Sequence, residues 1–209
     1  MTLHADVLFT YDARGRMLTT NEPFAPARRP APRVFAGRGA ADRVLRISTT
    51  VHDLLARRVG SLDDAAIAAA LAPTEAKSGP CYCFPDAIAA PSGVVALTRA
   101  NRELARDTYP WLLAEVADWQ PCFGVIEDGA VVSIAFAARI SERVAEVGVD
   151  TLASHRGRGH ASAVTLAWTA AIQASGRIPL YSTSADNLPS QAVARRCGLI
   201  QYGTDTTWT

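Results

Sequence analysis

Lysine is nearly missing from this chain: Lys77 is the single one among 21 basic residues. Its positive charge is therefore arginine, and a stretch from Arg14 to Arg58 carries much of it with few acids. The formal net charge is only +1, so no global attraction for nucleic acid is expected. No apolar run reaches the length of a membrane span, and the start Met1-Thr2-Leu3-His4-Ala5-Asp6 lacks a signal-peptide pattern. The expectation is a cytoplasmic protein with no nucleic-acid or membrane partner. Cysteine is scarce as well, limited to Cys81, Cys83, Cys122 and Cys197. Cys81-Tyr82-Cys83 could open a metal site, but no second Cys or His pair follows at zinc-finger spacing. Free thiols and no metal are the expectation.

What is present is 209 residues, enough for one large domain or a domain with an extension. The chain divides near Pro91-Ser92-Gly93. Residues 1–90 are irregular, with proline clusters at Pro23–Pro32 and Pro73–Pro85. Within them Ala5–Tyr11 alternates like a strand, Val44–Ile47 is a second strand candidate, and Ser61-Leu62-Asp63-Asp64 starts a helix. This part is expected to be a degenerate companion domain or a cover over a substrate.

Residues 91–209 are more regular. Thr98–Trp119 reads as one or two helices. Cys122–Ile126 and Val131–Ala137 are strands joined at Glu127-Asp128-Gly129, a hairpin sequence. A third strand, Val144–Val149, leads into Arg156-Gly157-Arg158-Gly159-His160-Ala161. Apolar residues at Ala161, Val164, Trp168, Ala171 and Ile172 then mark a helix. Ile178–Thr183 is a fourth strand, a helix capped by Asn187 runs to Arg196, and a last strand covers Leu199–Thr206.

The glycine loop is built to hold an anion: two glycines permit a tight turn, and the following helix adds unpaired donors. It is not a P-loop, because no lysine follows it. A dinucleotide fingerprint also fails, since Ser162 stands at its third glycine position and no acidic ribose ligand follows on a parallel strand.

These residues resemble a known family. Arg156-Gly157-Arg158-Gly159-His160-Ala161 is similar to the Arg/Gln-x-x-Gly-x-Gly/Ala motif of the GNAT superfamily of N-acetyltransferases. The strand ending Val147-Gly148-Val149 stands where that family's central strand does, and Asn187-Leu188-Pro189-Ser190 through Gly198-Leu199 is similar to its Asn-x-x-Ser…Gly-Phe segment. The resemblance covers about Thr98 to the C-terminus. It implies an α/β fold of the α+β type, a mixed and mostly antiparallel twisted sheet flanked by helices. The parallel pair should be Val144–Val149 and Ile178–Thr183, joined by a helical crossover.

The resemblance implies acetyl-CoA as cosubstrate. Main-chain N–H groups of Arg156, Gly157, Arg158, Gly159, His160 and Ala161 would hold its pyrophosphate. The backbones of Val147 and Val149 would pair with the pantetheine arm, with Asn187 and Ser190 nearby. The implied activity is transfer of an acetyl group to a primary amine on a small molecule or peptide. Glu146 is the candidate catalytic base, with partial burial expected to raise its pKa, and Asp150 is a second candidate. The sequence departs from the family where a tyrosine commonly serves as general acid: Ala194 stands there, leaving Tyr181 and Tyr202 as substitutes. That gap keeps open a non-catalytic acyl-CoA sensor or regulatory protein, and an acyltransferase using a longer or different acyl group is a separate alternative. An edge strand at the C-terminus is expected, which leaves a homodimer open.

Overall fold

Asp128 and Gly129 both hold positive φ, 50° and 78°, the combination that a tight hairpin matching strand twist demands. They join β7 (Cys122–Glu127) to β8 (Ala130–Ile140). This hairpin, followed by β9 (Val144–Thr151), forms an antiparallel run toward one edge of a nine-stranded sheet. The structure is a computed structural model describing residues 1–24, 26 and 28–209.

After β9, α5 (His160–Ala174) crosses the sheet and returns the chain as β10 (Ile178–Ser182), parallel to β9 as the crossover requires. α5 is held by its apolar stripe. Val164, Trp168 and Ile172 are each almost wholly buried against Val132, Ala135, Ala137, Ala145 and Val147 of the sheet. Truncating the fully buried Trp168 to alanine would cost about 3–5 kcal/mol. α6 (Leu188–Arg196) follows with Asn187 as its N-cap, and β11 (Ile200–Trp208) ends the sheet-forming chain. Among the described residues no helix is long and apolar enough to cross a membrane.

The earlier part of the chain completes this same sheet. β3 (Val34–Gly39), β4 (Arg43–Ile47) and β5 (Ala76–Cys83) belong to it, as does β6 (Val95–Ala96), in the order β4-β3-β11-β5-β10-β9-β8-β7-β6. β5 lies between β10 and β11 and pairs antiparallel with both. Residues 1–90 therefore supply the edge pair β4–β3 and the interior strand β5, and deleting them would separate β11 from β10. β11 has β3 on one side and β5 on the other. It is interior, which removes the edge-strand basis for expecting a homodimer.

Two local expectations are also corrected. Ala5–Tyr11 alternates, yet Thr2–Leu8 is helix α1 and only Phe9–Tyr11 (β1) is extended, pairing with β2 (Met17–Thr20). α1 buries His4, Ala5, Val7 and Leu8, and Val7 packs on Val144 and Leu180. This burial at helical spacing wins over strand propensity. In Thr98–Trp119 only a 3₁₀ turn, Arg102–Ala105, and the short α4 (Leu112–Glu115) form. Pro110 disfavours helix at Tyr109 and breaks the run. Asp63 caps α3 (Asp64–Leu71) as its sequence predicts, accepting from Ala66 N; α2 (Asp53–Val59) precedes it.

Candidate active site

β9 and β10 pair at only three positions, ending at Glu146 opposite Leu180. β9 continues to Thr151 while β10 turns onto β5, pairing Tyr181 with Tyr82 and Ser182 with Cys81. The strands thus part beyond Glu146, leaving the edge of Val147, Gly148 and Val149 facing a gap. A cleft lies on the α5 side of that gap, and a second cavity adjoins Ser182 on the opposite face. Each measures about 450 Å³.

The α5-side cleft is lined by the glycine loop, the first turn of α5 and one face of α6. Gly157 and Gly159 hold φ of 79° and 90°, in the left-handed region that a side chain resists. No side chain among the described residues caps α5, whose first-turn donors therefore face the cleft. With the positive end of a 15-residue helix behind them, these groups fit a phosphate ester. Of the residues singled out by sequence, Val149, Arg156, Gly157, Gly159, His160, Ala161, Asn187 and Ser190 line this cleft. Asp150 lines it too, away from the second cavity.

Two do not line it. The Val147 side chain is buried in the core beneath α5, so only its backbone edge is available. Arg158 is drawn off by Glu127, with Nη1 2.9 Å from Oε2. The same carboxylate lies 2.9 Å from His160 Nε2 and 3.5 Å from His155 Nε2. Glu127 thus ties the glycine loop to the β7–β8 hairpin. Asn187 is occupied as a cap, its Oδ1 accepting from Ser190 N at 3.1 Å. Ser190 Oγ lies 2.6 Å from the Tyr181 hydroxyl, which also lines the cleft.

Sequence reasoning missed Arg196, the cation that α6 adds to this wall. Its signal was helical spacing: Pro189, Ala192, Val193 and Arg196 recur at i, i+3, i+4 and i+7, and all four line the cleft. Ala194 falls on the opposite side of α6 and is fully buried. Of the two substitute tyrosines, Tyr181 reaches the cleft, whereas the Tyr202 hydroxyl lies 2.8 Å from His4 Nδ1. Burial raises the pKa of both, which keeps both phenols protonated.

The opposite cavity is made of side chains from distant segments. Leu8, Phe9, Thr20 and Arg29 line it together with Lys77, Arg139, Ser182 and Asp205. Glu146 lies behind this wall, only 2% exposed. Its Oε2 accepts from Arg139 Nη1 at 2.7 Å, and its Oε1 accepts from the Ser182 hydroxyl. Arg139 Nη2 also donates to Glu22 Oε1 at 3.2 Å. The expectation of a raised Glu146 pKa is overturned. Burial pushes it up, but the attraction of Arg139 and His4, with hydrogen bonds from Ser182 and Arg139, outweighs burial and lowers it. Glu146 is a buried carboxylate that stays ionised. Among the described residues, Arg139 Nε and Glu22 Oε2 are buried without a protein partner, so the network retains hydrogen-bonding capacity.

Residues 122–208 match a family model described as GNAT acetyltransferase. No curated protein matches the chain. In solved structures, the chain is similar to a GCN5-related N-acetyltransferase-like protein from Streptococcus suis, with TM-score 0.52, 17% identity, and 86% of this chain and 85% of that one covered. An acetyltransferase from the GNAT family of Colwellia psychrerythraea gives TM-score 0.51 at 15% identity, covering 80% and 75%. A GNAT-family protein from Novosphingobium aromaticivorans gives 0.51 at 20%, with 65% of each chain covered, just under two thirds of its length. These likenesses establish a shared fold: a mixed, mostly antiparallel sheet flanked by helices.

Proposed function

We propose, from the match of residues 122–208 to a GNAT acetyltransferase family model, that this chain moves an acetyl group from acetyl-CoA to a primary amine. The observation that carries the reading is the parting of β9 and β10 beyond Glu146, with one cavity on each face of the sheet at that point. A cosubstrate on the α5 side and an acceptor on the other would meet there. Acetyl-CoA would supply an activated acetyl thioester. The N–H groups from Arg156 to Ala161, with Arg196, would hold its pyrophosphate. The unpaired edge at Val147 and Val149 would take the extended arm as an added strand and direct N–H groups at the carbonyl oxygen.

The acceptor amine must lose a proton to attack. Ser182 lines the acceptor-side cavity and donates its hydroxyl to Glu146, which can draw a proton through it. In this reading Ser182 touches the acceptor and Glu146 acts as a positioning and proton-accepting partner behind it. Residues 1–90 serve as the cover of the acceptor cavity, supplying Leu8, Phe9, Thr20, Arg29 and Lys77 to its wall.

Two observations favour a second reading, an acyl-CoA sensor without turnover. Ala194 supplies no acid, and Glu146 is already engaged by Arg139 and Ser182. A thiol-release assay across amines and acyl donors, run beside calorimetric titration with coenzyme A, separates the two. Micromolar binding with amine-dependent thiol release is the expected result. Binding without release from any amine would establish the sensor, and no binding would remove both readings.

A further inference from the structure

Behind the acceptor cavity, on the α1 face of the sheet, three side chains of metal-binding chemistry converge from widely separated positions: His4 of α1, Cys81 of β5 and Asp205 of β11. Their donor atoms all lie within 4.8 Å of one another. His4 Nε2 is 3.1 Å from Asp205 Oδ2 and 3.7 Å from Cys81 Sγ. We propose that His4 Nε2, Cys81 Sγ and Asp205 Oδ2 form a zinc site whose remaining position opens toward the acceptor cavity through Asp205.

The distances suit the ion. Zinc bonds of about 2.0 Å to nitrogen or oxygen and about 2.3 Å to sulfur give tetrahedral edges of roughly 3.3–3.6 Å. The two separations from His4 Nε2, 3.1 and 3.7 Å, bracket that range, and the third lies within 4.8 Å, so modest shifts would close the three donors on one centre. The donor set of imidazole, thiolate and carboxylate suits zinc and balances its two positive charges. The cage is rigid, because Cys81 and Asp205 stand on paired strands, where Gly203, two residues before Asp205, is the partner of Cys81.

A second observation points the same way. His4 Nδ1 lies 2.8 Å from the Tyr202 hydroxyl, so a proton on Nδ1 donated to Tyr202 would leave Nε2 free as a ligand. Histidine ligands are commonly oriented through the other ring nitrogen in this manner. His4 and Cys81 are almost fully buried, while Asp205 lines the cavity and supplies access.

The same geometry argues against a nucleophilic cysteine. A relay needs thiol and carboxylate on opposite ring nitrogens, whereas here one nitrogen, Nε2, faces both. On binding, the zinc–sulfur bond replaces the S–H bond, and the proton leaves to solvent.

The test uses the full-length chain, stripped with a chelator and titrated with zinc or cobalt, and its readout is independent of acyl transfer. One equivalent of zinc is expected to bind and raise the thermal midpoint. Cobalt should give a thiolate-to-metal charge-transfer band that Cys81→Ser removes. Asp205→Asn guards against misfolding of that variant and should weaken binding while keeping the band. Tyr202→Phe should keep the band and weaken zinc about 10–100-fold. Wild-type protein that takes up no stoichiometric zinc, or a band that survives in folded Cys81→Ser, would overturn the proposal.

Discussion

The two cavities at the sheet's opening are equal in volume and opposite in construction. The α5-side cleft comes from consecutive elements between Val149 and Arg196, and it includes the turn of two left-handed glycines and the start of a helix with no side-chain cap, whose backbone N–H donors are left free. The opposite cavity takes its wall from residues between Leu8 and Thr209, and the side chains around it are already paired with one another. A backbone cradle tolerates variation in the side chains it carries. A side-chain cavity is specific to its particular residues, and therefore suits the part of a reaction that distinguishes one amine from another.

If the faces are separable, changes on one should leave the other's readout alone. The largest expected effect is Glu146→Gln. Removing its charge leaves Arg139 facing a single carboxylate and should cost about 2 kcal/mol in urea denaturation. That is less than the ~3–5 kcal/mol of an enclosed pair, because Arg139 keeps Glu22 and is 26% exposed. Coenzyme A affinity should be unchanged. The pH dependence follows from the lowered pKa of Glu146. Its stabilising contribution is complete above the unfolded value of about 4.3 and is lost as pH falls through the still lower folded value. Denaturation midpoints of wild type and Glu146→Gln should therefore converge as pH drops below that range. Parallel curves across pH would show that Glu146 is not held ionised by Arg139.

Gly159→Val comes next. A β-branched residue at φ 90° carries strain of about 1–2 kcal/mol, which the loop relieves by leaving its cradle conformation. Coenzyme A affinity should fall about tenfold, since regaining the cradle costs that strain, and calorimetry reads it directly. The smallest effect is a contrast between two arginines. Arg196→Ala removes a cation from the cleft wall and should weaken coenzyme A severalfold, whereas Arg158→Ala, already held by Glu127, should change it less than about twofold. Equal losses would mean that Arg158 leaves Glu127 for the ligand.

What the sequence disclosed follows the same division. The strand–loop–helix from Val144 to Ala174 was legible because its signals are local: an apolar run, two glycines, and a stripe closed by Trp168 and Ile172. Asn187 with Pro189 marked α6 for the same reason. β5 was hidden because Pro80 lies inside it, although its carbonyl still accepts from Thr183 N. α1 was hidden because its burial is imposed by Val144 and Leu180, far along the chain. The pKa of Glu146 was misjudged for a like reason. Its depression depends on Arg139 and Ser182, which only sheet register brings beside it. Cys81 lacked local partners, and the fold brings His4 and Asp205 to it from 77 and 124 residues away in sequence.

The central claim is that the parted strands and the glycine loop together receive acetyl-CoA. Backbone amide NMR during titration of the intact protein with acetyl-CoA tests it most directly. The account predicts saturable shifts concentrated at Val147–Val149 and Arg156–Ala161, with the amides of β3 and β4 unmoved. Saturation that leaves those two segments unperturbed would contradict it.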